Sequence, residues 1–96
     1  MIGVLATFRV QDGKRNEFER TFEELAQHVR HDEPGNLLYQ LYASRTEPNT
    51  YKVLEIYSCD DDLEAHRASR HLRAAGPMLM ALLADAPAIE ILDGVA

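Results

Sequence analysis

The sequence predicts an α+β fold of the ferredoxin-like kind: a four-stranded antiparallel sheet with its helices on one face. Three observations lead there. Apolar residues alternate with a period of two over separate short segments, and they recur at three- and four-residue spacing over longer ones. These segments follow one another as β-α-β-β-α-β, the split βαβ order. A length of 96 residues leaves room for one domain, taken as residues 1–96.

The first strand is Ile2 to Val10, with Ile2, Val4, Ala6, Phe8 and Val10 on one side and Gly3, Leu5, Thr7 and Arg9 on the other. Gln11-Asp12-Gly13 ends it, and the Asp12 carboxylate is expected to cap the next helix. That helix runs from Lys14 to His31, its apolar stripe made of Phe18, Phe22, Leu25, Ala26 and Val29. Pro34-Gly35 stops it. Leu37 to Ser44 is the second strand, with Leu37, Tyr39, Leu41 and Ala43 facing one way. Glu47-Pro48-Asn49 turns the chain into a third strand from Tyr51 to Cys59, and the two make a hairpin.

Asp60 to Asp62 opens a second helical region, and Asp61 with Glu64 has the spacing of a capping box. Proline fits badly inside a helix, so Gly76-Pro77 predicts a break between Ser69 and Pro77. A further helical piece is expected over Met78 to Ala84, and Ala88 to Leu92 reads as the last strand. Both faces of the strands carry apolar residues. Leu5, Leu38, Tyr42, Leu54 and Ile56 compete for burial with Val4, Phe8, Leu37, Leu41 and Val53. An apolar patch of that size marks an interaction surface, which predicts a homodimer packed sheet to sheet.

Composition narrows the partners. The charge balance is 10 Lys and Arg against 16 Asp and Glu, net −6. An acidic chain without a basic run argues against nucleic acid, whose phosphates need a basic stripe. No stretch approaches the ~20 apolar residues of a membrane span. The N-terminus lacks the basic and cleavage segments of a signal peptide. With one cysteine, Cys59, the simplest location is the cytoplasm.

Motifs for several chemistries are missing. There is no nucleotide phosphate loop, no nucleophile elbow and no zincin-type histidine pair. His28 and His31 read as a solvated, dipole-compensating helix end. The histidine spacings do not point to a metal. Cys59, beside three aspartates that disfavour its thiolate, reads as a partly buried small residue.

The segment from Tyr51 to Leu72 carries more. Glu55 shares a strand face with Tyr51, Val53 and Tyr57, and a carboxylate among apolar neighbours must be paired or have a raised pKa. His66, Arg67, Ser69, Arg70 and His71 follow on the helix. These groups can line a pocket of acid, imidazoles and phenols suited to a hydroxylated aromatic molecule. The same residues also read as an ordinary ion pair and ordinary core tyrosines.

Glu33-Pro34-Gly35, Leu38-Tyr39-Gln40-Leu41, Leu54-Glu55-Ile56-Tyr57 and Ala65-His66-x-x-Ser69-x-His71 occur in that order. The ordered set resembles the antibiotic biosynthesis monooxygenase domain family, and within it the small quinol monooxygenases, from about Ile2 to Leu92. The resemblance implies a dimeric barrel of paired sheets. It also implies oxidation of a quinol or polyphenol by O₂ without flavin, haem or metal, the substrate supplying the electrons once a base removes a phenolic proton. Histidine is the natural base near neutral pH. By this resemblance His66 is the first candidate and His71 the second, with Tyr39, Glu55 and Tyr57 as substrate-binding groups. Many members carry Trp where this chain has Tyr57. Haem-degrading relatives use an Asn and a His near the places taken here by Ala6 and Gly76, so haem degradation is not implied. The fold is also compatible with a non-catalytic binding or interaction dimer, and with an isomerase in which His66 moves a proton.

Overall fold

The computed structural model describes residues 1–96. Strand β1 (Ile2–Arg9) pairs on one side with β3 (Thr50–Tyr57) and on the other with β4 (Ala88–Asp93). Strand β2 (Asn36–Ala43) adds to β3, so the antiparallel sheet has the order β2-β3-β1-β4. Helices α1 (Arg15–Asp32), α2 (Asp60–Arg67) and α3 (Arg70–Met80) supply the rest. This is the ferredoxin-like arrangement expected from the element order, with the second helical region divided in two.

The alternation of β1 works as anticipated. Ile2, Val4, Ala6 and Phe8 are buried beneath the helices. Register places Val4 opposite Glu55 and Phe8 opposite Tyr51, so these side chains share a face. The α1 stripe of Phe18, Phe22, Leu25, Ala26 and Val29 is buried against them. Phe22 stacks on Tyr39 with ring centroids 5.4 Å apart, and Phe18 lies 4.9 Å from Tyr51.

Several local expectations are corrected. Asp12 does not cap α1; Lys14 precedes the helix without a side-chain cap. Gly13 has φ +80°, a left-handed conformation, and the chain leaves Asp12 accepting a hydrogen bond from Asn49 Nδ2 at 2.5 Å. The acid ties two loops together instead. Leu37 is 54% exposed rather than packed with Tyr39 and Leu41, because the β2–β3 register shifts between Asn36 and Leu38. Helix α2 follows Cys59, which puts Asp61 inside the first turn and not at the cap. Cys59 itself is exposed, and its Sγ donates to Asp62 Oδ2 at 3.3 Å.

The break in the second helical region falls at Ser69, the start of the expected range, and not at Gly76-Pro77. Helix α2 ends at Arg67, and Ser69 caps α3 by accepting from the Leu72 N–H. Pro77 lies within α3. The carbonyl of Arg73 loses its helical donor there, but Arg73 and Pro77 are not buried, so water can take the donor's place. The expected piece over Met78 to Ala84 stops at Met80. Leu82 and Leu83 then turn into the core, and Leu83 bridges Val10. No helix is long and apolar enough to cross a membrane.

Candidate active site

Between the sheet and helices α2 and α3 lies a cavity of about 190 Å³. Val4, Ala6 and Phe8 of β1 and Phe22 and Leu25 of α1 contribute apolar wall, with Leu63 and Leu79 from α2 and α3. Its polar groups are Tyr39 from β2, Glu55 from β3, and His66 and Arg67 from α2. The period-two alternation accounts for the first two: Tyr39 pairs with Glu55 across β2–β3 and both point beneath the helices. His66 falls on the buried side of α2 with Leu63, three residues away.

His66 is almost enclosed. Its ring lies 5.4 Å from those of both Tyr39 and Tyr57. Its Nδ1 meets both carboxylate oxygens of Glu33, at 2.9 and 3.1 Å. Glu33 also accepts a hydrogen bond from His71 Nε2. An ionised carboxylate can only accept, so each facing nitrogen carries its proton. The tautomer of His66 is thereby set to Nδ1–H. Its Nε2 makes no hydrogen bond and stands 3.8 Å from Glu55 Oε1.

Glu55 is buried and accepts from the Tyr57 hydroxyl at 2.7 Å. Burial pushes the Glu55 carboxyl above the usual carboxylate range, while the Tyr57 hydrogen bond and the His66 ring pull it back. The Tyr39 phenol is driven well above its ordinary range by burial, then by the charges of Glu55 and Glu33. Tyr57 is raised for the same reasons, with its hydrogen bond to Glu55 adding to the effect. Both phenols therefore stay protonated, and the Tyr57 hydroxyl donates to Glu55.

Of the five residues singled out from sequence, Tyr39, Glu55 and His66 line the cavity. Tyr57 lies behind Glu55. His71 faces the groove between α1 and α3, beside His28, and reaches the site only through Glu33. Sequence reasoning did not place Glu33 at the site. The signal available was the Glu33-Pro34-Gly35 turn. Asp62 rests on Gly35 so closely that an added Cβ would collide with its carboxylate. The bare glycine lets the start of α2 settle over the turn, with His66 one α2 turn further on. Glu33, His66 and His71 offer donor atoms of types that bind transition metals, all within 4.8 Å of one another. In this structure the two imidazole nitrogens are turned onto the carboxylate as hydrogen-bond donors. His28 and His31 sit exposed near Asp32 at the end of α1, as expected.

Comparison with known proteins decides the family. The model of the family described as "Antibiotic biosynthesis monooxygenase" matches residues 1–77. The chain belongs to the antibiotic biosynthesis monooxygenase family. It is 31% identical over 94 residues to "Putative monooxygenase YcnE" of Bacillus subtilis (strain 168), a match covering 95% of this chain and 98% of that protein. The crystal structure of a "putative antibiotic biosynthesis monooxygenase" from Caulobacter crescentus CB15 superposes with a TM-score of 0.96 at 47% identity, covering 99% of this chain and 90% of that one. SnoaB of Streptomyces nogalater, described as a cofactor-independent oxygenase and solved as a point mutant, shares the fold. Its TM-score is 0.85 at 20% identity, over 97% of this chain and 91% of that one. Family membership agrees with the resemblance drawn from the ordered motifs.

Proposed function

We propose that the chain is a cofactor-independent monooxygenase that oxidises a small quinol or polyphenol with O₂, as a sheet-to-sheet homodimer in the cytoplasm. The observation that carries this reading is the placement of His66. Its Nδ1 faces the Glu33 carboxylate at 2.9 Å, and its Nε2 makes no hydrogen bond and is free to accept at a cavity lined mostly by apolar side chains. Such a nitrogen can take a proton from a bound phenol, the step that makes the ring electron-rich enough to reduce O₂. The description of SnoaB as cofactor-independent supports the same chemistry.

Electron balance is met by the substrate alone. One O₂ and one quinol give a hydroxyquinone and one water; the ring gains one oxygen and loses two hydrogens. Four electrons pass from substrate to O₂. The apolar walls keep bulk water from the phenolate and the reduced oxygen species. Tyr39, which keeps its proton, can hold a substrate oxygen by donating to it, with Glu55 beside it on the cavity wall. Cavity size restricts the substrate. A dry protein cavity of about 150 Å³ takes benzene, whereas drug-sized ligands need about 300 Å³ or more. A cavity of about 190 Å³ suits one substituted ring.

The test is O₂ uptake by chelator-treated protein with a panel of quinols, corrected for autoxidation. Catalysed uptake with a product carrying one added oxygen is expected. A product of unchanged mass identifies an isomerase instead, and saturable binding without uptake identifies a binding protein. The variant His66→Ala is expected to lose activity by about 10²–10⁴-fold. Turnover at the normal rate would remove His66 from the mechanism.

A further inference from the structure

We infer that Glu33 is the positioning residue of this site: it fixes the tautomer and orientation of His66, and His71 in turn holds Glu33. This rests on reading His66 as the base. Glu33 does not line the cavity and cannot touch a substrate there. Its side chain is nonetheless only 9% exposed, at the C-cap of α1 just past the exposed Arg30, His31 and Asp32. A buried carboxylate is stabilised only by partners that donate to it, and both close partners are imidazoles, His66 at 2.9 Å and His71. Two donors from different helices pin the carboxylate in one rotamer, with His66 Nε2 left toward Glu55. The imidazole that receives a proton at Nε2 becomes a cation between Glu33 and Glu55, which stabilises it. A carboxylate that orients a histidine in this way acts through charge and tautomer, not through substrate contact.

The substitution Glu33→Gln tests this. An amide offers one accepting oxygen and one donating nitrogen, so it cannot accept from both imidazoles in the same way. The first readout needs no substrate. Long-range ¹⁵N–¹H correlation of the ring nitrogens should show His66 as Nδ1–H in the wild type and as Nε2–H or a mixture in the variant. In turnover, kcat should fall on the order of 10²-fold with KM within about twofold, since the cavity wall is untouched. The acidic limb of the activity profile should move to lower pH. The groups facing His66 that shape that limb are Glu33, Glu55, Tyr39 and Tyr57, with Arg67 beside it and His71 behind Glu33. Glu33→Asp keeps the charge while shortening the chain, and should retain the Nδ1–H form and more activity than Glu33→Gln.

An unchanged His66 tautomer in Glu33→Gln overturns the inference. So does Glu33→Asp losing more activity than the better-matched Glu33→Gln, the mark of a shape-filling role. If His66→Ala is fully active while Glu33→Gln still switches the tautomer, the assignment of the base has failed and the positioning has not.

Discussion

Glu55 sits in the middle of a sheet, beneath helices, with a carboxyl that burial drives toward its protonated form. Its place was legible in the sequence, because period-two alternation puts it with Val53 and Tyr57 whatever the rest of the chain does. The consequence for stability follows from its shift. In the unfolded chain a Glu carboxyl titrates near 4.3; in the fold it holds its proton more tightly. Such a group stabilises the fold below that value, and the contribution is lost as pH rises through the higher folded value. The neighbours Tyr57, His66, Glu33 and Arg67 modulate the size of the effect. Glu55→Gln cannot ionise and still accepts from Tyr57. Its melting temperature relative to the wild type should therefore climb as pH rises above the unfolded value and level off once the folded carboxyl has ionised. A difference that stays flat throughout, or falls as pH rises, would contradict the buried-carboxyl assignment. Glu33, by contrast, was not legible as a site residue. It stands just past the end of α1, outside that helix's apolar stripe, and what buries it is His66 and His71, 33 and 38 residues further on.

Sequence periodicity located every strand and the long first helix: β1, β3 and α1 each bury one face, and β4 keeps the alternation although it stays exposed. It failed at the junctions, where side chains choose between partners. Asp12 left its helix for Asn49, and Ser69, not the proline, divides the second helical region. The hydroxyl of Ser69 donates to the His66 carbonyl at 2.7 Å and accepts from the Leu72 N–H at 3.3 Å. One residue thus closes α2, opens α3 and spaces His66 from His71. Replacing it with Ala removes a cap worth about 1 kcal/mol. For a domain near 100 residues that corresponds to a melting temperature lower by about 4–8 °C. The same change should reduce turnover, since both imidazoles on Glu33 depend on this junction. Melting curves and quinol turnover of Ser69→Ala measure both. An unaltered melting temperature would mean that packing alone holds the two helices in register.

The outer face of the sheet poses a question that only a second molecule answers. Leu5 and Leu54 are direct partners across β1 and β3, and Leu38 and Ile56 lie opposite each other in the next strand pair. Tyr42, Leu54 and Leu92 on that face are 52, 39 and 46% exposed. Strand β4 adds Ile89 and Ile91, turned toward the helix side yet 61 and 49% exposed, with Ile89 forming part of the cavity lining. The helices thus cover the inner face of β1, β2 and β3, while the outer face keeps half-exposed and exposed apolar side chains, the pattern of an association surface. Sheet-to-sheet packing at about 10 Å would bury it. The wild type should then run at twice the chain mass of 10.9 kDa in light scattering at micromolar concentration. Leu54→Glu places a charge at the centre of that face, where its own copy and its symmetry mate would meet across a two-fold axis. It should shift the mass to that of one chain while the far-ultraviolet circular dichroism is retained, because Leu54 does not face the helices. If the wild type is already monomeric at that concentration, the apolar outer face is not a dimer interface. If Leu54→Glu remains a dimer, the contact lies elsewhere, with the exposed β4 edge and its two isoleucines the next surface to substitute.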